Sequence, residues 1–207
     1  IFFHFRFEFK MKIFSVISII SIALISSSNA SIFGFWFGRE CPTSPIIPDF
    51  DLNRYVGKWY EIERKPVIFE RNLKCVTAEY ALKDNGRISV KNSGTNVNTN
   101  EATATLGEAF VPNPTEPNKL IVEFPNQFLG INLANQGNYH VWKTDYSNYA
   151  LVYSCRVYFG FIKFEATWLL SRTKNLTAEN TAELKTFLSN NGVAVNNFEK
   201  VEQNCSN

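Results

Sequence analysis

The stretch Gly57-Lys58-Trp59-Tyr60-Glu61-Ile62-Glu63 decides how this chain folds. A glycine before Trp59 permits a tight entry into a strand and leaves room for the indole to lie flat across the end of a barrel. Far downstream, Trp168-Leu169-Leu170-Ser171-Arg172 ends a second apolar run with an arginine. Such an arginine can stack on the indole and donate to backbone carbonyls, so the two stretches together predict the closed end of a β-barrel.

Short β-rich runs fill the chain between and around these two motifs. Asp84-Asn85-Gly86 indicates a hairpin, because Asn and Gly accept the positive φ values that a tight turn needs. Regularly spaced antiparallel strands in one domain are typical of a sandwich or a barrel, and only a barrel gives Trp59 and Arg172 a shared role. The predicted strands are 60–64, 75–82, 87–91, 102–111, 119–124, 139–144, 149–157 and 162–171.

A helix is predicted after the last long strand. Thr177 suits the N-cap position, and an apolar stripe that includes Leu184 and Leu188 runs to about residue 190. The run 193–201 is expected to add a short ninth strand. We therefore predict an all-β fold, an eight-stranded antiparallel up-and-down barrel with a C-terminal helix packed on its outside.

The N-terminal residues indicate processing and secretion. Residues 1–10 precede Met11, the only methionine, and have the character of translated leader or vector sequence. Residues 11–30 have the basic start, short apolar run and small-residue cleavage site of a secretory signal. The apolar run is shorter than the roughly 20 residues that span a bilayer. We therefore expect one extracellular domain over residues 31–207.

Composition argues against a nucleic-acid partner. The chain has 21 basic and 19 acidic residues, and residues 1–30 hold three of the basic ones and one acidic one, so 18 of each remain. A neutral chain without a Lys/Arg cluster lacks the charge that phosphate backbones require. No zinc-type Cys-x-x-Cys pair or phosphate-binding glycine loop occurs, and His140 is the single histidine of residues 31–207, so no metal site is predicted.

Four cysteines, Cys41, Cys75, Cys155 and Cys205, follow the predicted signal. An even number of cysteines in a secreted chain implies disulfides, and the sequence by itself leaves three pairings open.

Three ordered motifs carry a family resemblance, namely the stretch that begins at Gly57, Thr144-Asp145-Tyr146 with the run to Cys155, and Ala166 to Arg172. With them the chain resembles the lipocalin family, and within it the group of apolipoprotein D and its insect and crustacean relatives, over roughly Cys41 to Cys205. The resemblance implies the disulfides Cys41–Cys155 and Cys75–Cys205. It also implies a structural barrel floor formed by Gly57, Trp59, Thr144, Asp145 and Arg172.

A ligand pocket follows from strand parity together with this resemblance. Side chains alternate between the faces of a strand, so an Arg172 that reaches under the barrel turns Ile162, Phe164, Ala166, Trp168 and Leu170 inward. Parity adds an apolar wall and predicts no inward charge; for any single aromatic, plain core packing stays an alternative. The wall residues are Ala78, Val90, Val122 and Val141, and the ligand-contacting set that the resemblance implies is Tyr80, Asn92, Phe124, Tyr139 and Trp168.

This pocket predicts a carrier of a small hydrophobic ligand, such as a lipid, steroid, fatty acid or retinoid. A bound chromophore, biliverdin or a carotenoid, is the alternative that the insect and crustacean relatives imply. An isomerase reaction with a cavity thiol is a third hypothesis, and it is disfavoured because all four cysteines match disulfide positions. We therefore expect a binding protein without catalysis and without another cofactor.

Surface features add two further expectations. Phe33-Gly34-Phe35-Trp36-Phe37 and Phe128-Leu129-Gly130-Ile131-Asn132-Leu133 are apolar enough to contact a membrane or a lipoprotein. Alternatively, the first packs back on the barrel and the second folds over the cavity. Asn175-Leu176-Thr177 is an N-glycosylation acceptor in a surface loop, with Asn175 as the modified residue.

Overall fold

The computed structural model of the chain describes residues 35–38, 40–125 and 136–205. Within these ranges ten strands form one antiparallel sheet. They are β1 Phe35–Phe37, β2 Gly57–Arg64, β3 Leu73–Leu82, β4 Ile88–Asn96, β5 Ala102–Phe110, β6 Lys119–Glu123, β7 Gln136–Thr144, β8 Tyr149–Tyr158, β9 Ile162–Ser171 and β10 Glu199–Lys200.

The sheet closes into a barrel. From β2 to β9 each strand pairs with the next along the chain, and β2 also pairs with β9. The prediction of an eight-stranded antiparallel barrel is therefore confirmed. β1 joins the outer edge of β9, and β10 joins β2, so the expected short ninth strand is reduced to two residues. Connections between successive strands alternate between the two ends of such a barrel.

Helix α1 (Leu52–Tyr55) precedes the barrel and helix α2 (Ala178–Asn190) follows it. As predicted, Thr177 caps α2, and its hydroxyl oxygen accepts a hydrogen bond from the Asn180 backbone N–H at 3.1 Å. Leu184 and Leu188 of α2 are fully buried on the outer barrel wall, against a cluster that includes Trp142. Among the helices in the described ranges, none has the length and apolarity to cross a bilayer.

Two disulfides tie the segments that flank the barrel strands to the barrel. Cys41 is joined to Cys155 of β8, and Cys75 of β3 is joined to Cys205, which confirms the pairing that the resemblance implied. The sequence separations are 114 and 130 residues. Loops of this length give a stabilisation of up to about 4.7 kcal/mol each in the chain-entropy model.

Strand β1 answers one of the open alternatives about the N-terminal aromatic segment. Residues 35–37 pair with Ile162, Lys163 and Phe164 of β9, and the Phe35 ring lies 5.0 Å from that of Phe164. This part of the segment therefore packs back on the barrel, although the side chain of Phe35 stays 40% exposed.

Candidate ligand-binding site

The closed end of the barrel is built on Arg172. Its guanidinium carbon lies 3.6 Å from the centroid of the Trp59 ring, and Trp59 is fully buried, so the predicted stacking is present. The same guanidinium donates to five backbone carbonyl oxygens at 2.9–3.0 Å, which tie β2, the end of α1 and the β7–β8 turn together. These acceptors belong to Arg54, Tyr55, Val56, Lys58 and Tyr146.

Gly57 provides the space that this arrangement needs. Its φ of +99° lies in the region that favours glycine, and a Cβ built on it would lie 3.3 Å from Nη1 of Arg172. Glycine is therefore required here twice, once for the backbone conformation and once for the close approach of the guanidinium.

Thr144 and Asp145 shape the turn that presents the Tyr146 carbonyl to Arg172. The Thr144 hydroxyl donates to the Tyr149 carbonyl at 2.7 Å and accepts from the Tyr146 N–H at 2.9 Å. Burial by itself would raise the pKa of Asp145, but hydrogen bonds from Tyr149, Asn148 and Ser147 lower it below its usual value. The carboxylate stays charged and holds the turn closed.

The structure brings the five predicted pocket residues together inside the barrel. Tyr80 belongs to the buried interior cluster, and Phe124, Tyr139 and Trp168 pack against it. Asn92 pairs with Ala78 two positions from the Tyr80–Val90 pair, so it lies on the same inward face. The apolar wall expected from parity belongs to the same cluster, namely Ala78, Val90, Val122 and Val141.

Three tyrosine hydroxyls form a chain at the inner end of this cluster. Tyr80 donates to Tyr139 at 2.8 Å, and the hydroxyls of Tyr139 and Tyr55 lie 2.7 Å apart. Burial raises the pKa of all three phenols, so each keeps its proton. Two hydrogen bonds use two of the three protons, which leaves one donor, on Tyr139 or Tyr55, for a further acceptor.

Asn92 supplies a hydrogen-bond acceptor that has no partner in the described part of the chain. The amide oxygen Oδ1 of Asn92 is buried and has no hydrogen-bond partner among the described residues. Leaving a buried acceptor unpaired costs about 1–3 kcal/mol, so a native protein usually supplies a partner from outside the fold.

The expectation of an interior without charge is wrong. The pairing of β2 with β9 shifts between Glu61, opposite Leu170, and Glu63, opposite Leu169. This bulge places Arg64 opposite the inward Trp168, so Glu61 and Arg64 both face the interior while Glu63 pairs with Lys185 of α2 outside. Parity counted along an unbroken strand cannot detect an inserted residue.

Arg64 is fully engaged by its neighbours. It donates from Nη1 to Glu61 at 2.9 Å, from Nε to Glu199 at 2.6 Å and from Nη2 to the Leu73 carbonyl at 3.4 Å. Burial raises the pKa of Glu61 well above its usual value, with the negative charge of Glu70 as the next cause. The interior wall beside Trp168 is therefore acidic and paired with a single guanidinium.

Glu70 is the second acidic residue that sequence reasoning missed. It ends a 3-10 turn, Ile68–Glu70, in the connection between β2 and β3, and its Oε2 accepts from Nε1 of Trp168 at 2.9 Å. No periodicity marks a buried carboxylate in a connecting segment, so the sequence offered no signal for it. Tyr55 was missed for the same reason, since it enters the barrel from α1.

The end of the barrel opposite Trp59 is partly apolar in its described residues. Its connecting segments expose Ile68, Phe69 and Phe161 by about half, and Phe159 by 85%. Residues 33, 34 and 128–133, for which membrane contact was expected, lie outside the described residues. A cavity of about 440 Å³ at this end is lined by Phe69, Arg71, Leu73, Asn96, Glu101, Ala102, Thr103 and Thr105.

The remaining predicted sites concern modification and metal binding. Asn175 is exposed between β9 and α2, and its carbonyl oxygen accepts from the Ser171 hydroxyl at 2.8 Å. Its glycosylation stays a prediction. In the described part of the chain, no three or more His, Cys, Asp or Glu side chains are grouped as metal ligands would be.

Comparison with known proteins agrees with this geometry. A family model described as a lipocalin-like domain matches residues 50–203. Apolipoprotein D of Cavia porcellus is 41% identical over 177 residues, which are 83% of this chain and 86% of the relative. The Lazarillo protein of Schistocerca americana is 33% identical over 168 residues, 80% of this chain and 75% of the relative.

A solved structure extends the comparison to three dimensions. Insecticyanin from the tobacco hornworm Manduca sexta superimposes with a TM-score of 0.67 at 27% identity, over 81% of this chain and 88% of that one. The barrel, its Arg172–Trp59 floor and the length of these matches lead to one conclusion. This chain belongs to the lipocalin family.

Proposed function

We propose that this protein is an extracellular carrier that holds a small hydrophobic ligand inside the barrel and catalyses no reaction. One observation carries the proposal. Beside the acidic wall at Trp168 the interior holds a large apolar cluster, and it presents an unpaired acceptor, Asn92 Oδ1, and a spare phenolic donor on Tyr139 or Tyr55. An apolar cavity with a few convergent polar groups is the usual form of a site for small molecules.

These polar groups define the class of ligand. A molecule that fits is flat or elongated, gains roughly 25 cal/mol for each Å² of apolar surface taken from water, and carries one or two polar atoms. A carbonyl or ether oxygen matches the spare phenol, and a hydroxyl or N–H group matches Asn92. Steroids, retinoids, fatty acids and other lipids with these groups are the candidates.

A bound pigment, biliverdin or a carotenoid, is the second candidate. The observation in its favour is the similarity of the whole barrel to insecticyanin. The pyrrole N–H and lactam groups of a bilin, or the oxygenated ends of a carotenoid, would use the same donor and acceptor. An absorption band in the visible range in protein from its native source would select this candidate.

The disulfides support both parts of the proposal. They are stable in oxidising compartments, in agreement with the predicted secretory signal. All four cysteines are used in them, so no thiol is left to act as the nucleophile of an isomerase. The exposed apolar side chains at the end opposite Trp59, with Phe159 the most exposed, support transfer of ligand from a lipid surface.

Ligand binding next to Trp168 is the experiment that tests the proposal. Retinol or a steroid is titrated into the parent protein, a Trp168→Phe variant and a Trp142→Phe variant, with intrinsic fluorescence as the readout. Trp142 is a matched control because it is buried outside the barrel, where its indole donates to Ser44.

We expect the ligand to quench or shift the fluorescence of the parent and of Trp142→Phe. In Trp168→Phe most of that fluorescence change should be absent. A change of equal size and affinity in all three proteins would place the ligand elsewhere. Mass spectrometry of whatever co-purifies with the native protein would then identify the ligand.

A further inference from the structure

We propose that Glu70 is a positioning residue of the pocket, which holds the indole of Trp168 and takes up a proton when an apolar ligand fills the barrel. The inference rests on the proposed function, since it requires an apolar ligand inside the barrel. It assigns a role to a residue outside the predicted ligand-contacting set. It concerns a carboxylate that reaches the pocket from the connection between β2 and β3 rather than from a barrel strand.

The geometry gives Glu70 one clear contact. Its side chain is 9% exposed, and among the described residues its single hydrogen-bond partner is Nε1 of Trp168, at 2.9 Å. Trp168 in turn lies between Val152 and Arg64 on the neighbouring strands and packs against the interior cluster. The orientation of the indole in the pocket is therefore set by a carboxylate on the connection between β2 and β3.

The charges around Glu70 do not neutralise it fully. Arg64 of β2 attracts Glu70, but its three nitrogens already donate to Glu61, Glu199 and the Leu73 carbonyl. From β2 and β10, Glu61 and Glu199 repel Glu70, while the phenol of Tyr80 on β3 is neutral. On the segment that carries Glu70, Arg71 follows and is exposed.

The ionisation of Glu70 is accordingly close to balance. Burial raises the pKa of Glu70 to about 6, against the lowering effects of the Trp168 hydrogen bond and of Arg64. An apolar ligand against Trp168 would remove the remaining water from this carboxylate, and loss of water disfavours its charged form. The pKa of Glu70 is then higher in the complex than in the free protein.

Linkage gives the sign of the effect. When a group has a higher pKa in the complex, its protonated form binds the ligand more tightly, so affinity rises as the pH falls through that range. As the pH falls, the affinity begins to rise at the pKa of Glu70 in the complex, which lies above 6. It stops rising at the pKa of Glu70 in the free protein, about 6. A protonated carboxyl still offers a carbonyl oxygen to the indole, so Trp168 stays held throughout.

The test uses retinol, a neutral probe without a titratable group, between pH 8 and pH 5. Glu70→Gln keeps an acceptor for the indole and removes the titration, and Glu70→Leu removes both. Glu79→Gln is the control, because Glu79 is an exposed carboxylate whose only close partner among the described residues is Lys58, at 3.9 Å. Affinity and the Trp168 emission maximum are measured together.

We expect retinol affinity of the parent and of Glu79→Gln to rise by about threefold to tenfold over this range, which corresponds to a pKa increase of about half to one unit. Glu70→Gln should bind with an affinity that does not change with pH and equals the acid value of the parent. Glu70→Leu should bind more weakly and shift the Trp168 emission.

Three outcomes would overturn the inference. If the retinol affinity of the parent does not change with pH, Glu70 is not a titrating group of the site. If Glu70→Gln keeps the pH dependence of the parent, the titrating group is Glu61 instead. An unchanged emission maximum and affinity in Glu70→Leu removes the positioning role. These results leave the proposed function intact, whereas failure of the parent to bind any apolar probe at any pH would defeat both proposals.

Discussion

Replacement of Arg172 by Ala tests the energetics of the closed end. The substitution removes the stacking on Trp59, which contributes about 1 kcal/mol for a partly buried pair. It also removes the donor from five carbonyl oxygens, and the cost in free energy differs among them. Water can replace the guanidinium at the exposed contacts with Arg54 and Lys58, and the Tyr55 carbonyl keeps the indole N–H of Trp59.

The part-buried carbonyls of Val56 and Tyr146 remain without this donor. Each unpaired acceptor costs about 1–3 kcal/mol, with the lower figure for groups that water can partly reach. With the lost stacking, we expect the free energy of unfolding to fall by about 3–5 kcal/mol. For a domain of this size that lowers the melting temperature by about 10–15 °C.

The assay is thermal unfolding followed by circular dichroism, with Lys58→Ala as the matched control. Lys58 is a basic residue at the same end, half exposed, 3.9 Å from Glu79 and 5.1 Å from the centroid of the Tyr60 ring, so its loss should change stability by no more than about 1 kcal/mol. The ratio of retinol to steroid affinity should stay the same in both variants. A loss below about 1 kcal/mol in Arg172→Ala would refute the role assigned to these contacts.

Three further substitutions test individual positions. Gly57→Ala should destabilise by about 2–3 kcal/mol, because strain at φ +99° adds to a close contact with the guanidinium; Gly160→Ala, with φ +76° and no atom within 4 Å, should cost about 1 kcal/mol in the same melting assay. Gly107→Ala should lower both stability and retinol affinity, since its Cβ would lie 2.4 Å from the Glu123 backbone oxygen and 2.6 Å from the Phe124 ring; unchanged affinity in the folded variant would show that this ring does not line the site. Asn92→Val should leave stability equal or higher, because it removes an unpaired buried acceptor, and calorimetry should show weaker binding of retinol by about 1 kcal/mol but not of a hydrocarbon analogue.

Much of the fold could be predicted because its signals are local. The Thr177 cap is a hydrogen bond across three residues, and the positive φ of Gly86 belongs to a turn that begins at Asp84. Strand positions follow from runs of apolar and β-branched residues whose periodicity needs no knowledge of the partner strand. Predicted strand ends differ from the observed ones by up to five residues, as at β4, where polar residues continue the pairing to Asn96.

The site residues on regular strands could also be predicted, whereas the residue next to a bulge could not. Trp168 was placed inside the barrel correctly, because β9 runs without a break from Ile162 to Ser171 and alternation holds over its whole length. The inward position of Arg64 was not predicted, since the bulge beside Ile62 reverses the alternation of side chains. Only the register of β2 against β9 reveals this bulge. Trp142 faces the outer wall, where it packs in one cluster with Leu184 and Leu188 of α2.

Local sequence signals are enough to predict the class of fold, the order of its strands, the capped helix and the floor pair of Trp59 and Arg172, because each depends on neighbours along the chain or on a recognisable motif. By contrast, three-dimensional packing is needed to show that Glu61, Arg64 and Glu70 lie beside Trp168, and that Tyr55 joins Tyr80 and Tyr139. These groups come from a bulged strand, a connecting turn and a short helix, which carry no periodicity. Their meeting depends on barrel closure, and closure is a property of all the strand registers together.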